Sequence, residues 1–227
     1  MTEDDINQRL GFLRGAEQLK DTVRNAFTRT GRTESVADHS WRLCLLAVTF
    51  ADQLPQLDLL KLLKICLIHD LGEAIGGDIP APEQDQLQPK SNQERVDFVQ
   101  LIEPLPDFMR HEFLALWDEY ENAASAEARA AKALDKLETI LQHNQGANPE
   151  GFDYEFNMGY GKHYTDNIPL TRRIRALLDR DTAAHAARQP AHGHRAVALW
   201  NGAATPQALA VTPRPAAAPR RGLRQGC

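Results

Sequence analysis

The chain is short of cysteine, of long apolar runs and, over its last stretch, of acidic residues, and each shortage narrows what it can be. Only three cysteines occur in 227 residues. Cys44, Cys66 and Cys227 form no CxxC pair, which argues against a thiolate metal site and a disulfide framework. Cys44 and Cys66 lie within apolar runs, where a small buried thiol is the ordinary reading. No stretch approaches the roughly 18 to 20 uninterrupted apolar residues that a membrane-spanning helix needs. The opening Met1-Thr-Glu-Asp-Asp is acidic where a secretory leader would be basic. A reduced, cytoplasmic chain with no membrane partner is therefore expected.

What is present, 42% apolar and 25% charged residues, suits one ordinary domain, or one domain plus an appendage. After Asp181 there is no acidic residue, yet six arginines follow (Arg188, Arg195, Arg214, Arg220, Arg221, Arg224). Of the net charge of −5, the body up to Asp181 thus carries −11 and the remainder +6. The last forty or so residues also hold five prolines and much alanine, with too few large apolar side chains to offset the entropy of ordering them. Residues 1–185 are expected to form the domain and 186–227 a disordered Ala/Pro/Arg tail.

Along the body, apolar residues recur at spacings of three and four: Ile6, Leu10, Leu13; Trp41, Leu45, Val48; Leu59, Leu60, Leu63, Leu67; Leu134, Leu137, Leu141; Ile174, Leu177, Leu178. No β-branched alternation competes and no internal repeat is found, so the fold class is all-α. Ser35 with Asp38, Ser91 with Glu94, and Ser125 mark helix starts. Leu54-Pro55 and Gly76-Gly77-Asp-Ile-Pro80 mark stops. Helices are predicted near 4–20, 35–54, 57–75, 91–103, 106–122, 125–145 and 169–182. Trp41 and Trp117 fall on apolar faces, which favours core packing over base stacking.

The chemistry-bearing residues lie on three of those helices. His69-Asp70 joins an imidazole and a carboxylate in an apolar setting, Ile65-Cys-Leu-Ile68 and Leu71. His39 lies thirty residues earlier and Asp135 sixty-five later. A lone histidine or aspartate on a helix is ordinarily a surface or satisfied core residue. A carboxylate in apolar surroundings, however, must be paired or bound to a metal, because an isolated buried charge is costly. A divalent cation could gather the four.

The pattern His39…His69-Asp70…Asp135 resembles the metal signature of the HD-domain phosphohydrolases. Arg32-Thr-Glu-Ser-Val-Ala-Asp-His39-Ser, His69-Asp-Leu-Gly-Glu-Ala-Ile-Gly-Gly-Asp-Ile-Pro80, Leu116-Trp-Asp-Glu-Tyr-Glu121 and Ala133-Leu-Asp-Lys-Leu-Glu138 are similar to the branch acting as 5'-nucleotidases on (deoxy)nucleoside monophosphates. The likeness spans residues 8–182 and implies an HD-domain helical bundle. It further implies metal-dependent hydrolysis of a nucleoside 5'-monophosphate to nucleoside and phosphate, with His39, His69, Asp70 and Asp135 as ligands. Such a nitrogen and oxygen shell suits Mn²⁺, Co²⁺, Fe²⁺ or Mg²⁺ better than a closed structural zinc. Two-metal relatives use extra histidines between the HD pair and the last aspartate; here that interval holds only His111, which favours one divalent ion.

Glu73, four residues after His69, is either a solvated end-of-helix carboxylate or a group that orients or deprotonates the attacking water. Asp78, where Gly76-Gly77 break the helix, is by family analogy the proton donor to the departing 5' oxygen; turn capping is the competing reading. Which carboxylate is base and which is acid stays open. Arg24, Arg32 and Lys136 can bring positive charge to a phosphate, while Arg29 and Arg32 are equally readable as solvated or structural. Arg24 stands where a characterised branch has a phosphate-binding arginine. There a tryptophan follows and helps reject ribose, whereas here Asn25 takes its place, which predicts weak discrimination between ribose and deoxyribose. The expected partner is a nucleotide rather than a nucleic-acid polymer, and a homodimer is compatible with the apolar stretches. Alternatives are a nucleoside triphosphate hydrolase, a specialised nucleotide phosphatase of a biosynthetic pathway, and a non-catalytic nucleotide-binding regulator.

Overall fold

The structure is a computed structural model and describes residues 1–79 and 90–189. Its organising element is a twenty-residue helix, α7 (Ala126–Gln145), started by the Ser125 hydroxyl, which accepts from the Ala128 amide at 3.0 Å. Ala128, Ala130, Ala131 and Ala133 are fully buried. Alanine costs least to hold in a helix, and its small side chain lets neighbours approach on several sides. Those neighbours are α2 (Val36–Thr49), α3 (Leu59–Ile68), α6 (Asp107–Glu121), α9 (Lys162–Thr165) and α10 (Pro169–Ala186). Farther along α7, Leu134, Leu137 and Ile140 fill the core, each worth about 1.5–3 kcal/mol of burial. Asp135, Glu138, Thr139 and Gln142, spaced as one helical stripe, are also buried. A polar stripe inside a packed helix is what positions the site.

Two further layers frame that stripe. α1 (Glu3–Ala16) leads through a 3-10 turn, Glu17–Lys20, into a small antiparallel hairpin of β1 (Val23–Phe27) and β2 (Thr33–Ser35). Ser35 then caps α2 in a reciprocal box with Asp38, as its spacing predicts. On the other side, α3 hands over to a tight turn and the short α4 (Glu73–Gly76), against which α5 (Lys90–Ile102) packs. A Cβ on Gly72 would stand 2.7 Å from the Glu94 carbonyl oxygen, so only glycine lets α5 come this close. Gly77, at φ +79°, supplies the left-handed residue that ends α4. The chain closes with α8 (Tyr154–Gly159), α9 and α10.

The bundle is helical as the periodicity predicts, with instructive departures. The expected 57–75 helix breaks after Ile68, so His69 and Asp70 sit at a helix end and not mid-helix. The hairpin and the short α8 and α9 carry too few periodic residues to register in the sequence. Trp117 is buried, but Trp41 is 65% exposed, which corrects the expectation of core packing. Leu45 and Val48 share its exposed face, and α2 packs instead through Val36, His39, Leu43 and Ala47. Ile6, Leu10 and Leu13 of α1 are likewise exposed. The Ser91 side chain and the disorder expected for the Ala/Pro/Arg tail lie outside the described residues. Among the described residues, no helix is long and apolar enough to cross a membrane.

Candidate metal centre

Three helix segments deliver four ligand-type side chains to one place. His39, fully buried in the second turn of α2, turns Nε2 toward Asp135 Oδ1 at 3.3 Å and Asp70 Oδ2 at 3.8 Å. His69, at the C-cap of α3, places Nε2 2.9 Å from Asp70 Oδ2. Two atoms each about 2.1 Å from one ion stand roughly 3 to 4 Å apart, and these separations fall there. Both Nε2 atoms are buried without an aligned hydrogen bond. His39, His69 and Asp70 offer ligand atoms within 4.8 Å of one another, a grouping and a donor set that fit a divalent ion, and Asp135 adjoins it through His39.

The far nitrogens explain why the near ones are aimed inward. His69 Nδ1 donates to the Cys66 carbonyl at 2.9 Å, which fixes its proton there and leaves Nε2 as the ligand atom. His39 Nδ1 hydrogen-bonds Glu138, one turn after Asp135 on α7, and Glu138 in turn stands 3.3 Å from Arg42 Nε. Such a partner orients an imidazole and raises its basicity. Asp135 keeps Oδ2 engaged with the Tyr120 hydroxyl and Lys136 Nζ, both at 2.9 Å, leaving Oδ1 toward His39. Trp117 Nε1 donates to the His69 carbonyl at 3.1 Å, fixing the turn itself.

The protonation preferences show a site that favours positive charge. Burial and Arg24 pull the His39 pKa down, but Glu138 and Asp135 outweigh them and hold it up at about 10. Burial pushes the Asp70 and Asp135 carboxyls up, yet His69 and His39 for the first and Lys136 with both histidines for the second hold them well below the carboxylate range. Glu34, buried at the end of the hairpin, goes the other way. Burial and the nearby Glu138 charge lift it to about 7 despite Arg24, His39 and Arg42.

The structure also settles where the remaining candidates stand. Arg24, on β1, reaches the cluster: Nη1 lies 3.6 Å from Asp70 Oδ2 and Nη2 donates to Thr139 Oγ1 at 3.2 Å. Asp78 is among the charges that raise its pKa against the cost of burial. Lys136 joins through Asp135 and lies over the Tyr160 ring. Glu73, buried at the start of α4, and Asp78 line a cleft of about 520 Å³ with Gln18, Thr22, Val23, Ala74, Ile75, Gly76 and Gly77. Arg32 is not brought in, since it pairs with Asp38 at 2.7 Å on the surface. Asn25 is exposed, whereas its neighbour Arg24 is half-buried against the cluster. Arg29 is exposed.

The structure adds Glu138, Tyr120 and Glu34 to the site. All three lie within the strings that carry the family resemblance, and Glu138 also falls three residues after Asp135 on the same helical face, but their contacts with the site are tertiary.

An HD domain family model matches residues 16–174. The 5'-deoxynucleotidase HDDC2 of Homo sapiens is 36% identical over 138 residues, 60% of this chain and 67% of that protein. The protein of the same name from Danio rerio is 33% identical over 148 residues, 64% of this chain and 73% of its own. Among solved structures, one described as a predicted metal-dependent phosphohydrolase from Magnetospirillum magnetotacticum superposes with a TM-score of 0.62 at 25% identity, covering 83% of this chain and all of that one.

Proposed function

Because the chain belongs to the HD-domain family, we propose that it is a metal-dependent phosphomonoesterase releasing phosphate from (deoxy)nucleoside 5'-monophosphates. The observation that carries this reading is the meeting of His39, His69 and Asp70, with Asp135 against His39 and the Arg24 guanidinium against Asp70. The names of the curated relatives support the substrate class.

In this reading His39, His69, Asp70 and Asp135 hold one divalent ion, Mn²⁺, Co²⁺, Fe²⁺ or Mg²⁺. When bound it neutralises phosphate charge and lowers the pKa of water. The protein's own groups do the rest. Arg24 binds the phosphate oxygens with a fixed cation in an otherwise acidic body, and Lys136 adds charge beside Asp135. Glu73 takes a proton from the attacking water. As the bond between phosphorus and the 5' oxygen breaks, Asp78 supplies the proton that the departing oxygen needs.

The test is phosphate release from a panel of ribo- and deoxynucleoside mono-, di- and triphosphates with Mn²⁺, Co²⁺, Mg²⁺ or chelator. Single phosphate from monophosphates, abolished by chelator, is expected. Triphosphate release, or turnover undiminished by chelator, refutes the proposal.

A further inference from the structure

Glu34 is a buried carboxylate that neither the metal set nor the proton transfers use. It is 2% exposed, and Glu34, His39 and Glu138 present ligand-type atoms within 4.8 Å of one another. Two acidic groups this close in a buried setting are costly unless cations compensate them. The cation that Glu34 meets is Arg24: Oε2 lies 3.4 Å from Nε, an ion pair in which neither atom makes an aligned hydrogen bond. The hairpin brings them together: Val23 pairs with Ser35 and Phe27 with Thr33, and the shifted register between these pairs sets residues 24–26 of β1 against Glu34.

That contact has a geometric consequence. A guanidinium offers five N–H donors in a rigid plane, so holding one edge orients the others. Glu34 approaches Nε, Thr139 accepts from Nη2, and Nη1 is left pointing to the metal cluster at Asp70. Thr139 is itself tied to α7 by its hydroxyl, which donates to the Asp135 carbonyl at 3.1 Å. The arginine is thereby referenced to the helix that carries Asp135, although it resides on a two-stranded hairpin that could not fix so long a side chain alone.

We propose that Glu34 is a positioning residue for substrate phosphate: it holds the Nε edge of Arg24 so that the outer nitrogens meet the phosphate at the metal cluster. The inference rests on the reading that Arg24 binds phosphate. Glu34 does not touch substrate, and its effect passes through the guanidinium.

The experiment compares Glu34→Gln, Glu34→Asp, Arg24→Gln and the double variant Arg24→Gln/Glu34→Gln in the full chain with its metal. It reads KM and kcat for a monophosphate, inhibition by inorganic phosphate, phosphate-dependent rise in Tm, and metal content. Glu34→Gln keeps volume and should raise KM and the inhibition constant for phosphate together by roughly tenfold, within the usual coupling of two charged residues in contact, with metal content unchanged. Glu34→Asp should restore part of the loss. In the double variant phosphate affinity should be no worse than in Arg24→Gln, because the two residues act as one unit. Unchanged phosphate affinity in Glu34→Gln, or additive losses in the double variant, overturns the proposal. Normal phosphate affinity in Arg24→Gln overturns the assignment of Arg24 itself, and the role of Glu34 falls with it.

Discussion

Replacing Glu138 by glutamine would isolate what a buried carboxylate contributes from behind a ligand. Glu138 has no exposed surface, accepts from His39 Nδ1 and stands 3.3 Å from Arg42 Nε. Glutamine matches its volume and can still accept from Nδ1, so the core gains no cavity, and the change is one of charge. Loss of such a partner typically weakens metal binding 10- to 100-fold, or about 1.4–2.7 kcal/mol. A second effect opposes this. The same carboxylate helps hold the His39 pKa at about 10, and an ion must displace that proton, which costs about tenfold in apparent affinity per pH unit below it. Glu138→Gln relieves much of the competition at pH 7 and only about a factor of two at pH 10. The affinity ratio of wild type to variant should therefore grow from pH 7 to pH 9. Titrating Co²⁺ or Mn²⁺ against a chelating dye at both values measures it, with circular dichroism as the folding control. Equal affinities at both pH values would refute the idea that Glu138 acts on the ion through His39.

Three further outcomes follow from named contacts. Glu73→Ala and Asp78→Ala should each lower kcat roughly 10²-fold or more, the usual scale of acid–base catalysis, with metal content near wild type; loss of metal in either would make that residue a ligand. Gly72→Ala drives a methyl to 2.7 Å from the Glu94 carbonyl and should cost about 1–3 kcal/mol of stability; an unchanged Tm would mean that α4 and α5 are not packed this closely. Ser35→Ala removes the cap of α2 and should cost about 0.5–2 kcal/mol, read as a lower Tm.

The sequence alone determined the helical class, most helix starts and stops, and the residue types that meet at the candidate centre. Capping is local, so Ser35 and Asp38 could be read from a spacing of three. His69-Asp70 announced itself because a charged pair inside an apolar run demands a partner. Which partner it finds is not local. His39, Asp70 and Asp135 come from segments far apart in sequence, and resemblance rather than periodicity assigned them to one ion.

Other features required the tertiary structure. Trp41, Leu45 and Val48 form as regular an apolar stripe as Val36, Leu43 and Ala47, and only the packing of α2 against α3 and α7 decides which face is buried. Asn25 and Arg24 are adjacent in sequence, yet the folded hairpin places Arg24 against the cluster and leaves Asn25 exposed. The β1–β2 hairpin is too short to show a pattern, but it sets Glu34 beside Arg24. Periodicity reports that a face is apolar or that a charge is present. Which helix covers that face, and which charge meets that one, depends on contacts between residues distant in the chain, and these exist only once the bundle has closed around α7.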